Sequence, residues 1–249
     1  MKILVAIART PDTTAPIDFV DDGRKYKEEG VQFIINPYDE FALAKAMDIK
    51  DERQDVEVTV ISVDSNKADQ LLRKALAVGA DKAVRIDIEP EDAWQTAGEI
   101  VEWIKKSGEQ FDLIFTGKET INYNGGLVGG YIASLLGYTY VPETYKLSIM
   151  DDGKLDIVRE IEGGKVYLKT TMPAVITAVE YLAEPRLPSM RGIMQARTKP
   201  FSVEQPTGIE PLTTTVKHYL PPQRKECKLI DPENIEELVE ILHKEIKVI

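Results

Sequence analysis

The stretch VEVTVISVDSNKADQLLRKALAVGADKAVRI, residues 56–86, decides how the fold of this chain is interpreted. Its opening segment, Val56–Val63, is rich in β-branched side chains and predicts a buried strand. The triplet Asp64-Ser65-Asn66 offers capping side chains for a helix over Lys67–Val78, which the following Gly-Ala-Asp ends. Ala83–Ile86 predicts the next strand. This succession is typical of a parallel sheet that is covered by helices.

The same alternation of strand and helix extends in both directions from this stretch. It predicts a three-layer Rossmann-like α/β fold with a mainly parallel sheet. An Asp-Asp-Gly turn at 151–153 predicts an antiparallel hairpin added late in the chain. The other predicted strands are Lys2–Ile7, Phe33–Ile35, Asp112–Thr116, Leu147–Met150, Leu155–Glu160, Val166–Thr171 and Ala174–Ala178. The other predicted helices are one that Asn36 caps, Glu91–Ser107 and Ile132–Leu136. Residues 8–14 are expected to be a loop, and Ile17–Gln32 a hairpin or surface excursion.

Composition excludes several classes of function. The chain has 249 residues, of which 43% are apolar and 29% charged, as in globular proteins with a core, and it contains no apolar run of membrane-spanning length. A formal charge of −11 argues against a nucleic-acid partner. The single Cys227 fits a reducing cytoplasm. The two histidines show no metal-ligand spacing, so no metal site is expected.

Three segments are expected at the carboxyl ends of parallel strands, where α/β proteins bind ligands: Ala6–Asp12, Asn36–Asp39 and Gly117–Gly130. The third is rich in glycine and precedes a helix, which suits a phosphate but also suits a plain strand-to-helix turn. Tyr38 could stack on a planar ligand or be partly buried. No nucleophile elbow, catalytic histidine or other acid–base set is present, which argues against an enzyme.

The proline-broken segment Glu184–Gly192 is a second candidate for function, predicted as a loop. Basic residues alternate with Leu187, Met190, Ile193 and Met194 between Arg186 and Arg197. Such a run is either a solvated face or, because of its apolar side chains, a surface that docks a partner protein.

The composition changes after Pro200. Residues 201–222 are rich in proline and threonine and predict an extended arm. Ile230–Ile249 predicts a helix that Asp231 caps, and its apolar face can pack on its own domain or on a partner subunit. We therefore expect an α/β domain over residues 1–200, with a partner-packing arm and helix over 201–249.

Several motifs resemble the β subunit of electron transfer flavoproteins over nearly the whole chain. The most specific are Arg159-Glu160-Ile161-Glu162-Gly163-Gly164, Pro173–Ala178, Glu184-Pro185-Arg186 and Ile193-Met194-x-Ala196-Arg197. Others follow in the family's order: Lys2–Ala8, Ile35-Asn36-Pro37, Ala75–Asp81, Gly117-Lys118 and the ending Lys247-Val248-Ile249.

The resemblance implies an adenine nucleotide α-hydrolase-like fold and a heterodimer with an α subunit. In that family, electrons pass from acyl-CoA dehydrogenase-type flavoenzymes of fatty acid β-oxidation to FAD held mainly by α, and then to a quinone-linked oxidoreductase. The β subunit is thus an electron carrier rather than an enzyme, and it binds AMP or, in electron-bifurcating members, a second FAD.

The resemblance also carries site residues onto this sequence. The segment from Glu184 to Gly192 corresponds to the recognition loop that docks dehydrogenases, where Met190 stands in the place of an apolar anchor. Its docking residues are Glu184, Pro185, Arg186, Leu187, Pro188, Ser189, Met190 and Arg191. The cofactor-binding residues are Ala6, Thr13, Asn36, Pro37, Tyr38, Asp39, Val63, Asn122, Asn124, Gly125, Gly126, Val128 and Gly129, of which Thr13 and Tyr38 are near the flavin of α.

This chain departs from the family pattern at two places. Asn122 and Asn124 replace acids of the nucleotide loop, and Leu127 replaces a glutamine, which leaves fewer side-chain hydrogen bonds for a nucleotide but less repulsion of its phosphate. The segment Pro11–Thr14 is more like that of bifurcating members. Bifurcation and a stand-alone adenine-nucleotide-binding module akin to stress-response proteins both remain as alternatives.

Overall fold

The computed structural model describes residues 1–222 and 227–248, which form two compact units, Met1–Lys217 and His218–Ile249. The last residue of the predicted terminal helix and of the family-like ending, Ile249, lies outside the described residues. Among the described residues, no helix is long and apolar enough to cross a membrane, and no cluster of side chains could hold a metal ion.

Nine strands of the first unit form one sheet, and four shorter strands form two separate ribbons. In chain order the strands are β1 (Lys2–Ala6), β2 (Arg9–Pro11), β3 (Phe19–Val20), β4 (Lys25–Tyr26), β5 (Phe33–Ile35), β6 (Glu57–Asp64), β7 (Lys82–Asp87), β8 (Leu113–Gly117), β9 (Thr139–Ile149), β10 (Leu155–Ile161), β11 (Gly164–Thr170), β12 (Ala174–Ala178) and β13 (Phe201–Glu204).

The sheet is parallel from β9 to β13 and antiparallel at its other end. Its order is β11-β10-β9-β12-β8-β1-β6-β7-β13, and only the β9/β10 and β10/β11 pairs of this sheet are antiparallel. The predicted mainly parallel sheet with a late antiparallel addition is therefore confirmed.

Helices cover both faces of this sheet. They are α1 (Pro37–Glu52), α2 (Asp69–Val78), α3 (Ala93–Ser107), α4 (Val128–Leu136) and α5 (Met190–Ala196), while α6 (Ile235–Glu240) belongs to the second unit. Successive residues of β1 point to opposite faces. Ile3 and Val5 join a core cluster with α1 and α2, whereas Leu4 joins a second cluster with α3 and α4. The three-layer architecture follows from these two cores.

The order of strands reverses at β1. The chain runs outward from β1 through β6 to β7 and then crosses back to place β8 on the other side of β1. A crevice at the carboxyl ends of two strands is expected at such a switch point, and in this fold the strands are β1 and β8.

Several local predictions were wrong near the start of the chain. Arg9–Pro11, expected in a loop, is strand β2 and pairs antiparallel with β5. The helix expected from Lys67 begins as a 3₁₀ turn over Asn66–Ala68, with no side-chain cap from Ser65. The predicted helix Glu91–Ser107 begins two residues late, because the side chain of Asp92 caps it by accepting from the N–H of Gln95 at 2.8 Å. Of the two alternatives for Ile17–Gln32, a hairpin or a surface excursion, the antiparallel β3/β4 pair shows the hairpin.

The segment after Pro200 also differs from the prediction. Phe201–Glu204, expected in an extended arm, is β13 and lies parallel to β7 at the edge of the sheet. Asp231 does not cap the terminal helix, because it accepts from the N–H of Glu233 and the side chain of Asn234 caps α6 instead. A π-helical segment, Ile241–Ile246, continues α6. That residues 201–249 pack on a partner stays a prediction.

Candidate functional site

Asp39 ties together the two strands of the switch point. It lies in the first turn of α1 and is 5% exposed. One carboxylate oxygen accepts from the N–H of Ala8, after β1, at 2.8 Å, and the other accepts from the N–H of Gly117, at the end of β8, at 2.7 Å. Burial raises the pKa of Asp39 to about 7, although these two N–H groups stabilise the ionised form and act against that rise. The predicted residue Asp39 thus lies at the base of the crevice.

Gly117 permits this close approach because it has no side chain. A Cβ at this position would lie 2.5 Å from the Oδ1 atom of Asp39 and 2.6 Å from the Cβ of Tyr38. Both distances are too short for real atoms, so α1 and the end of β8 can meet only through a glycine.

Asn36 holds the loop that follows β8 rather than capping α1 with its side chain. It is fully buried, and its side-chain amide donates to the carbonyl of Glu119 at 2.9 Å and accepts from the N–H of Ile121 at 3.2 Å. The predicted cap is therefore wrong, because the loop takes both polar atoms of the side chain. Asn36, Asp39 and the loop from Gly117 to Ile121 consequently form one hydrogen-bonded unit.

The N-terminus of α4 is open and free of negative charge. Its first turn carries no acidic side chain, and Leu127 supplies no side-chain cap. Gly129 lies against the sheet, since a Cβ there would be 2.7 Å from Cγ2 of Thr177, whereas Gly125 has open space around it. Backbone N–H groups at such an end attract anions, so the residues present fit the phosphate of an adenine nucleotide.

The remaining predicted cofactor residues are distributed around the same edge of the sheet. Ala6 is the last residue of β1 and Val63 the last but one of the adjacent strand β6, and both are almost fully buried. Asn122, Asn124, Gly125 and Gly126 form an exposed loop in which Asn124 adopts a left-handed conformation, φ 52°, and Val128 begins α4. Pro37 begins α1. Thr13 is exposed after β2, and none of the hydrogen bonds among the described residues joins it to this group.

Tyr38 borders a cavity that sequence reasoning missed. The cavity measures about 410 Å³. Lys118 also lines it, and its ammonium group lies 4.8 Å from the centre of the Tyr38 ring. The acidic side chains that line it are Glu143, Glu160, Glu162 and Glu180. This concentration of carboxylates repels phosphate, so the anionic part of a nucleotide fits the N-terminus of α4 and not this cavity. Glu160 and Glu162 belong to the quoted family motif Arg159–Gly164, and this was the one sequence signal that could have pointed to the cavity.

The predicted docking segment is held in place by Arg186. Its guanidinium donates to the carboxylates of Asp48 and Asp51, both on α1, the second at 2.6 Å. Ser189 then caps α5 by accepting from the N–H of Gly192 at 3.0 Å. The predicted loop Glu184–Gly192 is therefore a loop only up to Ser189, and Met190 is the first residue of a helix.

Helix α5 is fastened to the C-terminal end of α2. A Cβ on Gly192 would lie 2.1 Å from the carbonyl oxygen of Ala77, so the two backbones are in direct contact. Arg73 donates to the carbonyl of Ala196 at 2.8 Å, and Lys199 donates to the carbonyls of Leu76 and Ala80 at 3.0 and 2.7 Å. These bonds satisfy carbonyls that would otherwise lack partners at the helix end.

Four apolar side chains project from this fixed support, and we call them the docking platform: Leu187, Met190, Ile193 and Met194. Leu187 is 90% exposed and Met190 is 79% exposed. The remaining predicted docking residues, Glu184, Pro185, Pro188 and Arg191, flank them in sequence. Exposed apolar side chains on a support of this rigidity are typical of a protein-binding surface.

Comparison with known proteins shows the family. The sequence profile of the electron transfer flavoprotein domain matches residues 24–207. The electron transfer flavoprotein β subunit of Bacillus subtilis is 35% identical, and the alignment covers 100% of both chains. The chain belongs to the electron transfer flavoprotein β-subunit family. Its family function is electron transfer, and the resemblance stated from the motifs is confirmed.

Other relatives of the flavoprotein family extend this similarity. The electron transfer flavoprotein β subunit of Megasphaera elsdenii is 35% identical over 80% of this chain and 76% of its own length. Subunit CarD of the caffeyl-CoA reductase–Etf complex of Acetobacterium woodii is 30% identical over 99% of this chain and 98% of its own.

Proposed function

We propose that this chain is the β subunit of a heterodimeric electron transfer flavoprotein that carries electrons rather than catalysing a substrate reaction. In this proposal it associates with an α subunit that holds most of a redox-active FAD. The complex accepts electrons from acyl-CoA dehydrogenase-type flavoenzymes and delivers them to a quinone-linked acceptor. When bound, the flavin supplies the redox chemistry. This chain helps to bind and orient the flavin and to exclude water from it.

The docking platform is the observation that carries this proposal. An apolar surface on a support tied to α1 and α2 through Arg186, Arg73 and Lys199 binds another protein without first having to be ordered. A surface of only four apolar side chains is small, which suits the weak, rapid encounters of a carrier that serves several donors.

An adenine nucleotide is the ligand that we propose for the crevice of this chain itself. The N–H groups at the start of α4 would receive its phosphate, with Ala6, Val63 and the loop held by Asn36 around it. AMP and the adenosine part of a second FAD share this chemistry, so both are candidate ligands for the crevice.

Electron bifurcation, with a second FAD in the crevice, is the other candidate. It is favoured by the segment Pro11–Thr14, which is more like that of bifurcating family members. In that case the complex would divide electrons between two acceptors.

Co-expression with the α subunit, followed by release and identification of the bound nucleotides, tests the proposal. We expect a yellow heterodimer that contains FAD and one adenine nucleotide per β subunit. One FAD with one AMP indicates the simple carrier, and two FAD indicate bifurcation. A colourless monomer that binds ATP would instead support a stand-alone nucleotide-binding module and overturn the proposal.

A further inference from the structure

Glu99 is a buried carboxylate that holds a distant segment of the chain by its backbone. It lies on α3, is fully buried and accepts four hydrogen bonds. One oxygen accepts from the N–H and the hydroxyl of Thr207 at 2.7 and 2.9 Å. The other accepts from the N–H groups of Gly208 and Ile209 at 3.1 and 3.0 Å.

The helix surface is shaped to receive this segment. A Cβ on Gly98 would lie 3.0 Å from the Cγ2 atom of Ile209, so the isoleucine side chain rests directly on the backbone of α3. Gln95, one turn earlier, donates its side-chain amide to the carbonyl of Ile209 at 2.9 Å. Both polar groups of the Ile209 backbone are thereby bound to one helix.

Asp92 fastens the same segment at a second point. Its Oδ1 atom caps α3 by accepting from the N–H of Gln95 at 2.8 Å. Its Oδ2 atom accepts from the N–H groups of Leu212 and Thr213 at 2.7 and 2.8 Å. One oxygen therefore serves the helix, and the other serves the segment.

A buried carboxylate is unfavourable unless its oxygens are bonded, and none of the ion pairs among the described residues includes Glu99. Three backbone N–H groups and the hydroxyl of Thr207 therefore compensate its burial, and the backbone donors resemble those of anion-binding backbone concavities. The bonded segment, residues 207–213, has little structure of its own, since it follows Pro206, contains Pro211 and lies beyond β13. Its position thus depends on these two carboxylates.

We propose that Glu99 and Asp92 are positioning residues for the interface with the α subunit. They fix residues 207–213 to α3, so that the chain leaves the first unit at a set point, four residues after Thr213, at Lys217. The following unit presents exposed apolar side chains, including Leu220, Leu229 and Ile235, which the α subunit covers. This inference rests on the proposed heterodimer.

Fixing residues 207–213 to α3 raises the affinity for α, because it keeps the second unit at a high effective concentration near the partner. The test measures the dissociation constant of the heterodimer for the full chain and for Glu99→Ala, Asp92→Ser and Glu102→Gln. Serine still caps α3 but has no second oxygen for Leu212 and Thr213. Glu102 is the matched control, because it is a partly exposed carboxylate on the same helix whose ion pair, among the described residues, is with Lys105. Amide hydrogen exchange of the free chain measures directly how firmly residues 207–213 are held on α3.

We expect both anchor variants to speed exchange of the bonded amides of 207–213 and to raise the dissociation constant roughly tenfold, with no change for Glu102→Gln. Because Asp92→Ser keeps the cap, it tests the idea even where Glu99→Ala disturbs folding. Faster exchange with an unchanged dissociation constant would overturn the inference while leaving the heterodimer intact. If the unmodified chain formed no complex with α, the proposed function would fail first, and this inference with it.

Discussion

Asp39 is the residue on which the geometry of the crevice depends. Its carboxylate bridges Ala8 and Gly117, which belong to strands that are neighbours in space but far apart in sequence. The same burial that makes these bonds strong also raises the pKa of the carboxyl group to about 7. The ionised form of Asp39 is therefore disfavoured in the folded protein relative to the unfolded chain.

This shift predicts a pH dependence of stability that Asp39→Asn removes. Because the folded pKa is raised, the folded state holds its proton longer, and the contribution of Asp39 to stability is lost as pH rises from about 4 towards 7. The variant also leaves one backbone N–H without an acceptor, at a cost of about 1–3 kcal/mol. We expect the destabilisation caused by the variant to be larger at pH 5 than at pH 8 by roughly 2–3 kcal/mol, measured by urea unfolding. An equal destabilisation at both pH values would contradict the raised pKa.

The roles of single polar residues were only partly predictable from the sequence. Asn36 before Pro37 is a recognised helix start, and α1 does begin there. Its side chain nevertheless bonds to residues 119 and 121, more than 80 positions away, and no local pattern reveals such a partner. Glu99 was likewise one acid among many on a predicted helix, because its partners at 207–209 lie in a segment without periodicity.

At the level of elements, the packing of α4 against the sheet positions the N–H groups that we propose to bind phosphate. Gly129→Ala would place a Cβ 2.7 Å from Thr177 and 3.0 Å from the hydroxyl of Thr116, which forces the first turn of the helix outward. We expect the affinity for AMP, measured by calorimetry on the heterodimer, to fall by roughly tenfold or more, with a loss of stability of about 1–3 kcal/mol.

Gly164→Ala is the matched control for this prediction, because Gly164 lies outside the proposed nucleotide site and a Cβ there meets no atom within 4 Å. It should change neither the stability nor the affinity appreciably. Equal effects of the two alanines would mean that the position of α4 does not govern nucleotide binding.

Two short elements, α5 and β13, were not predicted from sequence patterns. Helix α5 has seven residues, too few to show a clear helical pattern of apolar residues. It is held by Arg73, Lys199 and the contact of Gly192 with α2. Strand β13 follows Pro200 and exists because its backbone pairs with β7. The long βαβ stretch from residue 56 to 86 was predictable because hydrophobic periodicity and turn residues agree along its whole length.

On the scale of the whole molecule, both hydrophobic cores lie in the first unit. All residues of the two clusters come before Arg197, and none of the described residues from 218 to 248 is buried. The architecture of this unit was predictable from alternating strands and helices. Of the second, exposed unit, the sequence predicted only a terminal helix whose apolar face needs a partner.

This division predicts that a chain ending at Lys217 folds without residues 218–249. We expect its thermal unfolding midpoint to stay within a few degrees of that of the full chain, since surface changes rarely exceed about 0.5 kcal/mol. Binding to the α subunit should be lost or weakened at least tenfold on the proposed function, as measured by co-purification and titration. A truncated chain that binds α as tightly as the full chain would show that the second unit does not serve the interface.

The rate of electron transfer into the complex tests the central claim most directly. A heterodimer of this chain and the α subunit is mixed with a reduced acyl-CoA dehydrogenase, and reduction of the bound flavin is followed by stopped-flow absorbance. We predict rapid reduction that Met190→Ala slows roughly tenfold, whereas Met150→Ala, which changes an exposed methionine outside the docking platform, leaves it unchanged. Equal rates for all three proteins would contradict docking through the platform, and no reduction in any of them would contradict the proposed electron carrier.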